Sequence, residues 1–137
     1  MPEQMPLHLE AGTGNEPSFY GLLSALQWRE QNPPDMAACV CKLEKLRKGL
    51  KNAGARVIIP QGECTPVVSF TLPGESAADT VFMLQESCGI ICRTGLHCAP
   101  KIFSCLQVPE TVRLSLSRFT TMEEIDRVIA AVEDIRE

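Results

Sequence analysis

The chain has 137 residues, 45% of them apolar and 22% charged; that is one domain's worth of ordinary globular composition, far from the disordered class. Its net charge of −4 argues against nucleic acid or an anionic membrane surface as a partner, because both need a basic face. No apolar run approaches the ~20 residues of a membrane span.

Residues 1–18 hold Pro2, Pro6, Pro17, Gly12 and Gly14 and read as an extended arm with a turn. No basic segment followed by an apolar one opens the chain, so export is not expected and a cytoplasmic setting is. Residues 19–31 read as a helix, with Tyr20, Leu23, Leu26 and Gln27 at spacings of three and four, and Asn32-Pro33-Pro34 stops it. Asp35 is placed to cap a second helix running to about Asn52, with Gly54 just beyond its end. Its expected buried stripe is Met36, Val40, Leu43, Leu46 and Leu50. Lys42, Glu44, Lys45, Arg47, Lys48 and Lys51 are expected on a solvated face.

Two short strands follow, at Arg56–Ile59 and Thr65–Leu72, each closed by a proline and a glycine. Ser76 and Asp79 fit a helix start, with Ala77, Val81 and Leu84 on one face to Gln85. Ile90-Ile91-Cys92 reads as a brief strand and residues 93–100 as a loop. Thr111–Phe119 alternates as a half-buried strand, and Thr121-Met122-Glu123-Glu124 opens a last helix with a capping box. Short strands alternating with amphipathic helices predict an α+β fold: a two-layer sandwich with a small sheet of about four strands.

The seven cysteines follow no zinc or thioredoxin spacing. With no export signal they are expected to be reduced, and most to behave as small buried apolar residues. No metal site is expected: Cys39 and Cys41 point ~200° apart on a helix, and adjacent His97 and Cys98 strain joint ligation. Cys98 differs from the rest. It stands in Cys92-Arg93-Thr94-Gly95-Leu96-His97-Cys98-Ala99-Pro100, beside a histidine and within loop reach of an arginine. Nearby positive charge favours the thiolate, the reactive form; a space-filling thiol is the competing reading. Arg113, on the polar side of a predicted strand, can fork onto a carboxylate, or be a plain surface residue. Gly12-Thr13-Gly14-Asn15, at a helix start, can hold a phosphate, or be only a turn.

Taken together, Leu9-Glu10-Ala11-Gly12-Thr13-Gly14-Asn15, Arg93-Thr94-Gly95-Leu96-His97-Cys98-Ala99-Pro100, Thr111-Val112-Arg113-Leu114-Ser115 and Glu123-Glu124-Ile125-Asp126 resemble the C-terminal part of cysteine desulfurases. These are class V aminotransferase-family enzymes that use pyridoxal phosphate. The resemblance runs over nearly the whole chain. It implies residues 1–18 as an arm and 19–137 as the small C-terminal domain of a fold-type I pyridoxal-phosphate enzyme. It implies Cys98 as the nucleophile that takes sulfur from L-cysteine as a persulfide, leaving alanine. It implies Arg113 as the grip on the substrate carboxylate, Arg93 and His97 as loop residues near the substrate, and Thr13 as a contact to cofactor phosphate across a dimer interface. Leu96 departs from the paired histidine often seen there. The family's cofactor lysine follows a histidine, whereas here neither His8 nor His97 precedes a lysine. The large cofactor-binding domain is therefore expected to be absent, and the chain alone to bind no pyridoxal phosphate.

Three functions compete. The chain supplies Cys98 and Arg113 to an active site completed by a partner chain or a homodimer; or it is a cofactor-free persulfide carrier serving a sulfur-acceptor protein; or it is a non-catalytic dimerisation remnant exposing Leu22, Leu23, Leu26 and Trp28.

Overall fold

The structure is a computed structural model, and it describes residues 4–6, 9, 12–60, 62 and 64–136. His8, Glu10 and Ala11 lie outside the described residues, and with them part of the Glu10–Asn15 motif. The chain divides into two compact units, Met1–Pro34 and Asp35–Glu137.

In the first unit, α1 spans Glu16–Gln31 and begins three residues before the predicted start. Pro17 in the first turn explains this, since a proline there forfeits an amide that has no helical partner anyway. The helix ends where the Asn32 amide and side chain both donate to the Trp28 carbonyl, at 2.9 and 2.8 Å. None of its residues is buried. Phe19, Tyr20, Leu22, Leu23, Leu26 and Trp28 are all exposed, Phe19 and Tyr20 at 71%.

The second unit is α+β. It contains α2 (Met36–Asn52), β1 (Arg56–Ile58), β2 (Val67–Thr71), α3 (Ala77–Cys88), β3 (Arg93–Gly95), α4 (Pro100–Leu106), β4 (Thr111–Ser115) and α5 (Met122–Arg136). The four strands form one antiparallel sheet in the order β1-β2-β4-β3. Leu43, Leu46 and Leu50 of α2, Leu84 of α3 and Ile125 and Val132 of α5 join Val68, Phe70, Val112 and Leu114 of the sheet in one buried core. Three helices therefore cover one sheet face. Alternate strand residues point oppositely, so Thr111, Arg113 and Ser115 belong to the other face.

Local chemistry sets the element ends. The Asp35 carboxylate accepts from the Ala38 amide at 3.0 Å. At the far end of α2, Gly54 takes φ +83° while its amide donates to Lys51 and that of Ala55 to Leu50, the double carbonyl cap of a Schellman turn. Thr121 and Glu124 exchange reciprocal bonds at 2.8 and 3.2 Å, forming the predicted capping box. Gly49 of α2 lets α5 approach: a Cβ there would lie 2.2 Å from Ile129 Cδ1 and 2.5 Å from Cγ1. Gly49→Val should accordingly destabilise the domain by about 1–3 kcal/mol through overpacking, read as a lower urea midpoint. An unchanged midpoint would show that α2 and α5 can separate without loss.

Four expectations need correction. Met36 and Val40 are exposed, and Cys39 takes their place in the buried stripe of α2. Arg47 is not solvated but 5% exposed; its guanidinium donates to Glu44 at 2.8 Å and to the Cys64 sulfur at 3.1 Å. The third strand lies at 93–95 rather than 90–92. Gly89, left-handed at φ +61°, ends α3, and Ile90 folds back with its amide on the Leu84 carbonyl and its side chain in the core. The last strand stops at Ser115, beyond which Ser117 and Thr120 hydroxyls capture the backbone amides of Phe119 and Ser117.

Candidate functional site: a thiol on a left-handed turn

The segment expected to be one loop is built of three parts. β3 carries Arg93 to Gly95, a tight turn carries His97 and Cys98, and α4 starts at Pro100. The turn closes with the Ala99 amide donating to the Leu96 carbonyl at 2.9 Å. Its two central residues, His97 and Cys98, have φ of +49° and +61°. That is the φ pattern of a type I′ turn, which favours Asn-Gly. Left-handed backbone costs about 1–2 kcal/mol at each non-glycine residue, so surrounding contacts must hold this one.

Those contacts come from the His97 side chain. Its Nε2 lies 3.1 Å from Thr111 Oγ1, a side chain with no exposed surface, and its ring sits 6.0 Å from that of Phe103 in α4. Cys98, the next residue, is exposed. A shallow hollow of about 290 Å³ opens beside the turn, between Leu96, Phe103 and Val108. A second of about 300 Å³, walled by Leu46, Ile90, Leu114 and Ile125, lies at the helix-covered face and away from the thiol.

Two cations share the sheet face that carries Thr111, opposite the helices. Arg93 and Arg113 stand directly opposite each other on β3 and β4. Arg113 is half-buried, and its Nε has no hydrogen-bond partner; nor does His97 Nδ1, also buried. The pair is thus a positively charged patch with unspent donor capacity, suited to an anion such as a carboxylate. Burial first, then the Arg113 charge, and more weakly that of Arg93, hold the His97 imidazole below the ordinary histidine value. At neutral pH the positive charge near the turn therefore comes from guanidinium and not from imidazolium. Between the lowered native value and the ordinary ~6.5, the unfolded chain binds this proton more readily. The stability from keeping His97 neutral is therefore complete above about 6.5 and is lost as pH falls through the native value. Imidazole NMR should show His97 titrating below 6.5; titration at or above that value would mean that burial and the arginine charges do not together govern the ring.

The other cysteines separate by environment. Cys39 alone is buried, so the expectation that most would be buried is corrected. Cys64, Cys88 and Cys92 are half-buried, and Cys41, Cys98 and Cys105 are exposed. Burial pushes the Cys92 thiol up, away from thiolate chemistry. Among the described residues no group of three or more His, Cys, Asp or Glu side chains converges as a metal site would require. The lysines stand elsewhere. Lys42, Lys45, Lys48 and Lys51 are on α2, which packs against the opposite sheet face, Lys45 pairing with Asp126. Lys101 is exposed in the first turn of α4.

The structure thus joins Arg93, His97, Cys98 and Arg113 in one region. Thr13 is exposed in the bend preceding α1, in the other unit. Asn15 occupies the α1 N-cap position without a side-chain capping bond. Sequence reasoning missed Thr111, Phe103 and all of α4. Pro100 at a first helical position, followed by Ile102, Phe103 and Leu106, was the signal available for the helix. The Thr111 contact spans 14 positions and has no local signature.

The model for aminotransferase class V matches residues 2–128. The chain belongs to the class V aminotransferase family. It is 32% identical over 135 residues to a cysteine desulfurase of Klebsiella pneumoniae, covering 97% of this chain and 33% of that protein. A probable cysteine desulfurase of Mycolicibacterium paratuberculosis is 34% identical, covering 96% of this chain and 20% of that one. Among solved structures, the apo cysteine desulfurase of Thermococcus onnurineus superposes with a TM-score of 0.81 at 25% identity, over 95% of this chain and 33% of that one. The S-sulfonic acid form of the Escherichia coli cysteine desulfurase CsdA gives 0.72 at 28%, over 94% and 32%. This class V chain spans about a third of the length of most of these relatives. Among the described residues no helix is long and apolar enough to cross a membrane.

Proposed function

We propose that this chain is the part of a cysteine desulfurase-type protein that captures sulfur. Cys98 is its nucleophile and Arg113 its grip on the carboxylate of L-cysteine, with Arg93 and His97 lining the approach. The observation that carries this reading is the exposed Cys98 on a turn held against the face that carries the two opposed guanidiniums, where Arg113 keeps an unpartnered Nε. Arg113 orients the substrate by charge-assisted hydrogen bonds. The Cys98 thiolate then forms a bond to the substrate sulfur as the carbon–sulfur bond breaks. The electron pair leaves with carbon, which takes a proton to give alanine. Pyridoxal phosphate held by other polypeptide would supply the electron sink that eases this bond cleavage.

The residues of this chain do not fit that cofactor by themselves. A Schiff-base lysine needs a desolvated amine. The four α2 lysines are across the sheet from Cys98, and Lys101 is exposed. The cofactor-bearing portion is therefore assigned to other polypeptide, with Thr13 a candidate contact to its phosphate. Given pyridoxal phosphate and L-cysteine, the chain alone should release no alanine, and borohydride reduction should fix no stoichiometric pyridoxyl group on one lysine. Given a small-molecule persulfide donor, one sulfur atom should add at Cys98 in preference to Cys41 and Cys105, which are also exposed, read by peptide mass mapping. Alanine release with a lysine-linked cofactor, or sulfur spread evenly over the thiols, would overturn the reading.

The exposed apolar residues of α1 favour a second reading, a dimerisation module without chemistry. It predicts self-association in sedimentation that Leu22→Lys and Leu26→Lys together abolish, with no sulfur uptake at Cys98.

A further inference from the structure

We infer that Thr111 is the positioning residue for the sulfur-bearing turn: its hydroxyl pins the His97 ring and so keeps the left-handed His97-Cys98 pair that presents Cys98 to solvent. The inference rests on the reading of Cys98 as the reacting thiol, but it stands on different observations.

A His-Cys pair has no intrinsic preference for two successive left-handed residues; glycine and asparagine do. Within the turn, one backbone bond, from the Ala99 amide to the Leu96 carbonyl, closes the loop. Outside it, the His97 side chain is tied to the domain by Thr111 Oγ1 at 3.1 Å and by packing on Phe103. Phe103 belongs to α4, a seven-residue helix that follows directly in sequence and can move with the turn. Thr111 instead lies in β4, whose neighbours β2 and β3 bond it on both sides, and its side chain is fully buried. It is therefore the rigid end of the linkage. The hydroxyl matters for itself, because a buried Oγ1 deprived of His97 would face a loss of its hydrogen bond, and a methyl group in its place cannot hold a ring nitrogen.

The test compares Thr111→Val, Thr111→Ser and His97→Phe in the full chain, by amide hydrogen exchange and by imidazole NMR. Neither readout involves sulfur transfer, so failure here is distinguishable from failure of the desulfurase reading. Thr111→Val should lower the protection of the Ala99 amide roughly tenfold, the worth of one hydrogen bond, while the Phe70 and Val112 amides keep theirs. The His97 ring resonances should shift as the ring loses its hydroxyl partner. Thr111→Ser should restore both properties. His97→Phe, which preserves a ring against Phe103 but not the bond, should reproduce the Ala99 loss, and it carries the test should Thr111→Val not fold. The inference is overturned by unchanged Ala99 protection in Thr111→Val or His97→Phe, by a serine variant that behaves like valine, or by core amides losing protection in parallel with Ala99.

Discussion

Cys98→Ser should take no sulfur from a persulfide donor at any pH at which the parent chain does. The effect is all-or-none, because the product is a sulfur–sulfur bond that a hydroxyl cannot form, and the thiolate is the nucleophile. Cys41 and Cys105 should not compensate. Both are exposed, but they sit on α2 and α4 and not on the turn held against the arginine-bearing face. The substitution keeps size and polarity at an exposed position, so the thermal midpoint should stay within about 2 °C, the scale of a surface change. Residual uptake by the serine variant would relocate the reactive thiol. Arg113→Lys tests the carboxylate grip proposed for Arg113. Lysine keeps the charge and loses the planar fork. With a cofactor-bearing partner present, affinity for the substrate carboxylate should weaken by about 2 kcal/mol, roughly 30-fold, while sulfur uptake from a small persulfide donor stays at the parental rate.

Phe70→Ala should be the most damaging change to the fold. Phe70 has no exposed surface, and it stands opposite Val57 on one side and Val112 on the other, at the centre of the sheet. Truncation removes the largest fully buried side chain and leaves a void between the sheet and α2, α3 and α5, costing about 3–5 kcal/mol. At about 4–8 °C for each kcal/mol in a domain of this size, the thermal midpoint should fall by tens of degrees. Circular dichroism melting measures it, and a fall under about 5 °C would mean that the core collapses around the gap.

The helices were legible because their ends are written locally. Asp35, Ser76 and the Thr121–Glu124 box each bond within three residues, and the leucine spacing of α2 named its core members. What could not be read depends on distant partners. Ile90 and Ile91 have the branching of strand residues, yet Ile90 packs into the core as the stop of α3 and Ile91 is 88% exposed. Arg47 looks like one more cation on a charged face until Cys64, 17 positions later, folds over it. The Ala77 amide at the start of α3 donates to Glu110, 33 residues on. At the site, Cys98 and Arg113 stood out by motif and resemblance. The left-handed backbone and the Thr111 anchor arise only once β4 pairs with β3.

The register that sets Arg93 against Arg113 also makes the sheet's margin self-repelling. β3 has three residues and a single neighbouring strand, and like charges directly across a ladder work against pairing. Dilute buffer leaves that repulsion bare, whereas dissolved salt mutes it over a Debye length of about 8 Å at physiological strength. The fraying of this margin, and with it the aim of the sulfur atom carried just beyond, will thus follow the kind and amount of counter-ion in the medium. Sulfate or a dicarboxylate, bridging the two side chains, should tighten the margin more than chloride at equal ionic strength.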